Sequence, residues 1–444
     1  VRRVVIAGVG RLGTGLVHYL STHYEVVAID TDAGAIARIQ DRYDVQGVVG
    51  NVCDPYVLRK ANLDPQCAFL VITGSDEVNL VACQLDQMLF HASFKALRLR
   101  HAHYLEVIAT DSLLQQLKID WVIRPWGLMA EHLQEILKMP GIFDHAFFVQ
   151  NRFQLLGIHV QEKHFFHSKT IKDIEKKIPQ MRLMMAFRKG ERIEVCQDTL
   201  LVKDDFVYLL TAGGTDRSSK NLFFESYTKQ RFVFLGAHET TYGLLESLKD
   251  QKVLVIGQNK EHTEKMAILY PEYSFIYSPT LDQDVWQAID EHPAYVMGLS
   301  ESDEQNLTTC LIARQKNSYA GIAMTENMQN FHTFFKSGLA CLAYPLQTVV
   351  SGTFKKMAPS YLKKMWLTQG DQSLMVAEVW VQENVKALYF SWEKLKEYGI
   401  HVVVCIRKKK AYWSAVALEA EDTLILWFPM QDYDAILDLF GTLA

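Results

Sequence analysis

Gly8, Gly10 and Gly13 belong to the stretch Gly8-Val9-Gly10-Arg11-Leu12-Gly13, a G-x-G-x-x-G. That spacing lets a backbone come close to a pyrophosphate. The first glycine permits a tight turn, the second leaves room for the phosphates, and the third lets a helix sit against a strand. Phosphate then lies on the helix N-terminus, where free N–H groups and the helix dipole favour negative charge. An acid about 20 residues on accepts hydrogen bonds from ribose hydroxyls. Asp30 stands 17 residues after Gly13, at the end of EVVAID. The flanks suit the chemistry: VVIA (4–7) reads as a buried strand, the residues through Leu20 as a helix, and EVVAID as a second strand.

The alternation continues. VQGVVGN (45–51) reads as a third strand, PYVLRKANL as a short helix and CAFLVITG (67–74) as a fourth strand. SDEVNLVACQLDQMLF begins with a helix cap at Ser75 or Asp76 and runs on as an amphipathic helix. KALRLR, the helical LEVIATDSLLQQL and the short strand DWVIRP complete a six-stranded, doubly wound parallel sheet. The loops after the first four strands share one edge, so Gly10, Asp30, Asn51 and Ser75 should converge there.

Half a chain length later the sequence repeats itself. Residues 75–83 (SDEVNLVAC) and 302–310 (SDEQNLTTC) agree at six of nine positions, 227 residues apart in a chain of 444. FVFLG (232–236), KVLVIGQN, YSFIYSPT and AYVMGLSESDEQN predict a second Rossmann-like sheet in tandem. Gly236 answers to Gly8, but His238 stands for Gly10, Thr241 for Gly13 and Gly257 for Asp30. A side chain at the second glycine blocks a pyrophosphate, and losing the acid removes the ribose contact. The second unit is therefore expected to keep the fold and lose conventional dinucleotide binding.

A small α+β module follows each unit. Residues 154–212 give the helical HSKTIKDIEKKIPQ, a hairpin turning at Arg188-Lys189-Gly190, and a further strand pair in TLLVKDDFVYLLTAG. Residues 376–428 repeat the plan, and TAGGTDRSSKN (211–221) is the best linker signal. The expected domains are 1–140, 141–218, a linker at 219–230, 231–355 and 356–444. The apolar surfaces of WGLMAEHLQEILKM (126–139) suit either interdomain helix swapping or ordinary packing within one subunit.

Composition excludes several classes. The net charge of −5 is spread along the chain, so no nucleic-acid partner is expected. The densest basic run, Arg407-Lys408-Lys409-Lys410, reads as a solvated turn. Seven cysteines without a C-x-x-C suggest reduced, buried thiols, and fifteen histidines without H-x-x-x-H give no metal site. No signal peptide is expected before the first strand, and GLACLAYPLQTVV (338–350) is too short for a membrane span. An NAD(P)-dependent oxidoreductase is the rival class, but it needs a positioned acid or base. No clear His–carboxylate pair is legible; His159, His164 and His167 are the nearest candidates. The chain is not expected to be an enzyme.

The order Rossmann, small lobe, Rossmann, small lobe resembles the TrkA family, the cytosolic regulatory subunits of Trk-type potassium uptake systems, with tandem RCK (KTN) domains. The glycine motif with Asp30 and Thr31, the ITGSDEVNLVAC segment, the LRLR strand and MAFRKGE…LVKDDFVYLL carry the resemblance. It implies that Gly8, Val9, Gly10, Leu12 and Gly13 cradle phosphates and that Arg11 lies against them. It implies Asp30 and Thr31 at the ribose, Asn51 and Val52 near adenine with Asn51 in place of the usual acid, and Arg100 near phosphate. Thr73, Gly74, Ser75 and Asn79 would line the crevice. The implied regulatory ligands are ATP, ADP and NAD(H). The implied assembly is a cytoplasmic homotetrameric ring under an integral-membrane potassium channel subunit of the Trk type, on the inner face of the plasma membrane. A nucleotide sensor without a transporter is the remaining alternative.

Overall fold

Runs of Val, Ile, Ala and Leu with no polar alternation can be strands only if both faces are covered. In the computed structural model those runs form a six-stranded parallel sheet. It describes residues 3–101, 104, 113–137, 142–162, 164–213, 231–237, 239–249, 251–279, 294–315, 319–325, 327, 330, 341–343, 345–369 and 373–442. The strands are β1 (Arg3–Ala7), β2 (Glu25–Asp30), β3 (Gln46–Val49), β4 (Cys67–Val71), β5 (Phe94–Arg98) and β6 (Trp121–Ile123). Their order is β3-β2-β1-β4-β5-β6, the doubly wound arrangement with its switch point between β1 and β4. The connecting helices are α1 (Arg11–Leu20), α2 (Ala33–Gln40), α3 (Pro55–Lys60), α4 (Asp76–Leu89) and α5 (Leu113–Gln116). Most of LEVIATDSLLQQL lies outside the described residues. Helix α6 (Pro125–Leu137) leaves the sheet toward the first small lobe.

That lobe contains β7 (Ile142–Phe148), β8 (Phe153–His159), β9 (Lys169–Thr170), α7 (Ile171–Lys177), β10 (Met181–Arg188), β11 (Glu191–Ile193), β12 (Leu200–Leu201) and β13 (Phe206–Ala212). Five of these strands form an antiparallel sheet, β11-β10-β13-β8-β7. The expected hairpin is β10–β11, with Lys189 and Gly190 at positive φ in its turn. The expected pairing within TLLVKDDFVYLLTAG is corrected: β12 pairs with β9, while β13 joins the large sheet between β10 and β8. The proposed linker at 219–230 lies outside the described residues.

The second half repeats both layers. It has β14 (Arg231–Leu235), α8 (Glu239–Ser247), β15 (Lys252–Gly257), α9 (Lys260–Leu269), β16 (Ser274–Tyr277), β17 (Ala294–Gly298), α10 (Asp303–Gln315), β18 (Tyr319–Met324), β19 (Cys341–Ala343) and α11 (Pro345–Met357). Its sheet order, β16-β15-β14-β17-β18-β19, copies the first. The second small lobe has β20 (Leu362–Leu367), β21 (Leu374–Trp380), α12 (Trp392–Lys396), β22 (His401–Arg407), β23 (Lys410–Tyr412), β24 (Thr423–Pro429) and α13 (Tyr433–Phe440). The basic run is only partly a solvated turn. Lys408 and Lys409 occupy the turn, but Arg407 grips the buried Asp422 carboxylate with Nε and Nη2 at 2.8 and 2.7 Å. Arg188 holds Asp205 in the same way in the first lobe, at 2.8 Å twice. No helix among the described residues is long and apolar enough to cross a membrane.

The two halves exchange helices. Helix α6 lies on α8, where Gln134 Nε2 donates to the Gly243 carbonyl at 2.8 Å. Helix α11 returns to α1, so closely that a Cβ on Gly15 would fall 2.2 Å from a Leu346 methyl. One continuous apolar core results, from Val4 in the first sheet to Phe440 in the last helix.

The repeated S-D-E-x-N segment is a clasp. Asn79 Oδ1 accepts from the Thr73 N–H and hydroxyl at 3.0 and 2.6 Å, and its Nδ2 donates to the Arg98 carbonyl at 3.0 Å. Asn306 does the same to Ser300 and Met324, at 2.8, 2.8 and 3.0 Å. Each carboxamide ties a β-strand end, the next helix and the following strand. Ser75 caps α4 through the Val78 N–H, and Ser302 contacts the Gln305 N–H. Both Asn side chains are fully buried, so truncation leaves backbone groups unpaired. Asn79→Ala and Asn306→Ala should each lose about 1–3 kcal/mol of stability by chemical denaturation. A loss in the first unit alone would make the repeat something other than a structural clasp.

Candidate nucleotide site

The three glycines of the opening motif are glycines for different reasons. Gly8 has φ +101°, and a Cβ there would fall 2.8 Å from the Thr73 Cα. A Cβ on Gly13 would fall 2.0 Å from the Gly8 carbonyl oxygen. The fold itself excludes side chains at both. Gly10 is unlike them. Its φ is −71° and ψ −166°, and a Cβ would meet nothing within 4 Å. Neither conformation nor packing requires a glycine here; only a body approaching from outside would.

Gly10 is also the N-cap of α1, and no side chain caps that helix. The first turn carries no acid. These are the features of an anion site: backbone N–H groups, a helix dipole and no acid in the helix's own first turn. Asp30 closes the turn from the next strand. Its Oδ2 accepts from the Val9 N–H at 2.6 Å and its Oδ1 from the Asp32 N–H at 2.9 Å. Asn51, one loop further, accepts from the Cys53 N–H at 2.9 Å.

These loops open on a cavity of about 960 Å³. Gly8, Gly10, Arg11, Leu12, Asp30, Thr31, Asn51, Val52, Thr73, Gly74, Ser75 and Arg100 all line it. Val9, Gly13 and Asn79 are absent from the lining and stand behind it. Val9 anchors Asp30, Gly13 lets α1 approach, and Asn79 fixes the Thr73 backbone. Arg100 forms no ion pair among the described residues; its backbone N–H is held by Asp76 at 3.0 Å. Arg98 and Trp126 also line the cavity and were not expected. The two-residue period of the LRLR strand, which puts Arg98 and Arg100 on one face, is a signal for the first.

The far wall comes from the other half of the chain. Ser300, Glu301, Asp303, Met324, Pro345 and Leu346 face the same cavity. No local pattern predicts a wall built from residues so far along the chain.

The second crevice is built differently. Gly236 keeps the positive φ, +114°. Thr241 replaces Gly13 and donates its hydroxyl to the Gly236 carbonyl at 2.9 Å. His238 lies outside the described residues. At Gly257 a Cβ would fall 1.8 Å from Thr263 Oγ1, so an acid has no room there. Gln258 and Gln305, at the positions of Thr31 and Val78, join by a hydrogen bond.

The absence of a His–carboxylate pair from the sequence reading is corrected. His159 Nε2 lies 3.2 Å from Asp204 Oδ1 with its ring stacked on Phe206, and His101 Nδ1 lies 2.8 Å from Asp76. Their partners are 45 and 25 residues away, beyond local pattern. None of these four residues lines the cavity, and neither do His164 or His167. Among the described lining residues there is no His, Cys, Tyr or Lys.

The TrkA-N domain model matches the chain twice, over residues 4–125 and 232–342, just over half of its length. The chain is 22% identical over 366 residues to the Trk system potassium uptake protein TrkA of Haemophilus influenzae, covering 79% of this chain and 78% of that one. It is 24% identical over 445 residues to a Trk system potassium uptake protein TrkA homolog of Archaeoglobus fulgidus, covering 99% and 100%. Among solved structures, the RCK domain of GsuK aligns with a TM-score of 0.61 at 14% identity, covering 99% of this chain and 95% of that one. The GsuK channel bound to NAD aligns with a TM-score of 0.61 at 13% identity, covering 99% and 79%. At such identities the likeness is one of fold.

The glycine analysis makes a direct prediction. Gly10→Asp should fold with stability within about 0.5 kcal/mol of the parent, since its side chain enters open space. Gly13→Ala should lose at least about 1–3 kcal/mol, because the backbone must shift to admit it. Thermal melts of both variants check this; equal losses would mean that Gly10 is structural too.

Proposed function

The chain belongs to the TrkA-N domain family, and on that premise we propose that it is a regulatory, non-enzymatic subunit that binds a nucleotide in the first unit and acts on a membrane potassium-uptake partner. Gly10 carries the reading: an uncapped helix N-terminus behind a glycine that only an outside ligand requires. The ligand is an adenine nucleotide, ATP or ADP, or NAD(H). Its phosphates sit at Gly8, Gly10 and Gly13 near Arg11 and Arg100, its ribose at Asp30 and Thr31, and its base at Asn51 and Val52. Thr73, Gly74 and Ser75 line the crevice, with Asn79 and Val9 supporting from behind. The second unit binds no dinucleotide in the conventional pose and serves as a wall.

Four chains assembled as a ring on the cytoplasmic face of the membrane would present eight such units to the partner. A nucleotide preferring one ring conformation shifts the population toward it; one binding both equally would do nothing. A lining without His, Cys, Tyr or Lys among the described residues supports binding over hydride transfer.

Calorimetric titration with ATP, ADP, NADH and NAD⁺ tests the reading. A single nucleotide per chain, lost in Gly10→Asp, is expected. Two sites per chain, or binding that survives the substitution, would assign a site to the second unit. Arg11→Ala should narrow the gap between ATP and ADP affinities; equal weakening of both would remove Arg11 from the terminal phosphate.

A further inference from the structure

A buried polar cluster lies where the two halves meet, outside the cavity lining. Its centre is Asp144 on β7, which has no solvent exposure. From the first half, its carboxylate accepts from the Tyr208 hydroxyl of β13 at 2.5 Å and the His145 N–H at 2.9 Å. From the second half it accepts from Trp366 Nε1 of β20 and the Gln369 N–H, both at 3.1 Å, and from Gln347 Nε2 of α11 at 3.3 and 3.4 Å. One carboxylate is thus held by donors from both halves.

The imidazole of α6 nearest to it supplies no cation. His132 on α6 brings Nε2 to 3.5 Å, but burial, with His145 nearby, pushes its imidazole down to about 3, so it is neutral. The other titratable groups are Tyr208 on β13 and His145 beside Asp144 on β7. Strand β8 places Gly157 opposite, and α11 and β20 bring the neutral Gln347 and Trp366. Burial pushes the Asp144 carboxyl up to about 6, against the hydrogen bonds from Tyr208, Gln369, Trp366 and His145. Two buried oxygens of the cluster, Gln347 Oε1 and Gln369 Oε1, find no hydrogen-bond partner among the described residues. A buried network left partly unsatisfied is costly.

We infer that Asp144 makes the joint between the halves proton-sensitive. Proton uptake favours the closed arrangement described above; proton loss favours one in which water reaches the carboxylate. The sign follows from linkage. A solvated carboxyl keeps its ordinary low value and the closed joint raises it. The closed state's advantage is therefore complete below the ordinary range and fades as pH rises through about 6. His132 Nε2 lies 3.5 Å from Asp144 Oδ1 and 3.4 Å from Gln369 Nε2. The joint also connects to the cavity: α6 and α11 begin at its lining with Pro125, Trp126, Pro345 and Leu346. They reach Asp144 through His132, two turns along α6, and through Gln347, next to Leu346 in α11.

Fluorine NMR of the fluorotryptophan-labelled full chain, with Trp366 assigned through Trp366→Phe, reads the joint directly. The Trp366 signal should move with a midpoint near pH 6 in the parent and show no such step in Asp144→Asn. Hydrogen exchange at the start of α11, corrected for its intrinsic pH dependence, should be faster at about pH 8 than at about pH 5 in the parent only. Tyr208→Phe removes a donor to the anion and should raise the midpoint; it carries the test if Asp144→Asn does not fold. A Trp366 signal that does not titrate, a midpoint unmoved in Tyr208→Phe, or exchange indifferent to pH in the parent would each overturn the inference.

Discussion

The hydrogen bond from the Val9 N–H to Asp30 Oδ2, at 2.6 Å, fixes the glycine turn at the carboxyl edge of the first sheet. It joins the glycine turn after β1 to the end of β2. The Gly8 N–H reinforces it by donating to the Ile29 carbonyl at 2.8 Å. Once that turn is fixed, Gly13 places α1 against the strand and its uncapped N-terminus faces outward. The same carboxylate organises the next turn through the Asp32 N–H. A residue expected to contact ribose is therefore also a structural bolt. The two roles are compatible because each carboxylate oxygen has a second lone-pair site.

Comparing the copies separates what the fold needs from what a ligand needs. Both keep a positive-φ glycine after the first strand, Gly8 and Gly236, because the chain must turn there under a neighbouring strand. Both keep the buried Asn clasp and the serine before it. The second copy drops the acid at the end of its second strand, and Thr263 fills that space. It also bridges its crevice with Gln258 and Gln305. The asparagine at the centre of the repeat that draws the eye in the sequence serves the fold, and stands behind the cavity lining in the first unit. The parts that differ are those at the crevice.

Sequence reading reached the two tandem doubly wound sheets and the near wall of the cavity, because these follow from local apolar periodicity and glycine chemistry. The loops after β1, β2, β3 and β4 must share an edge in any doubly wound sheet, so Gly10, Asp30, Asn51 and Ser75 could be placed together. What it missed depends on contacts between distant segments. Glu301, Asp303 and Leu346 complete the cavity only because the halves pack face to face. The pairing of β12 with β9 depends on a loop closing over α7. Arg407 looked like part of a solvated run because its partner, Asp422, is brought back where β24 pairs with β22. Asp144 is visible as an acid inside an apolar strand, but its role is not, because the donors Tyr208, Gln347, Trp366 and Gln369 lie 64 to 225 residues away.

The helix exchange gives these separate features a common frame. A small lobe tethered only to its own sheet would move independently, since interfaces between domains in one chain are ordinarily modest. Here α6 crosses to α8 and α11 crosses to α1, each burying its apolar face on the other half. The close approach at Gly15 and Gly243 depends on the missing side chains, so the crossing is specific in register as well as apolar. Both crossing helices begin at the cavity wall and continue into the polar joint around Asp144. A change in spacing between the walls therefore cannot be absorbed by one half alone. It must either strain the crossing or be passed along α6 and α11, because packed interfaces of this kind have discrete arrangements and are not continuously deformable.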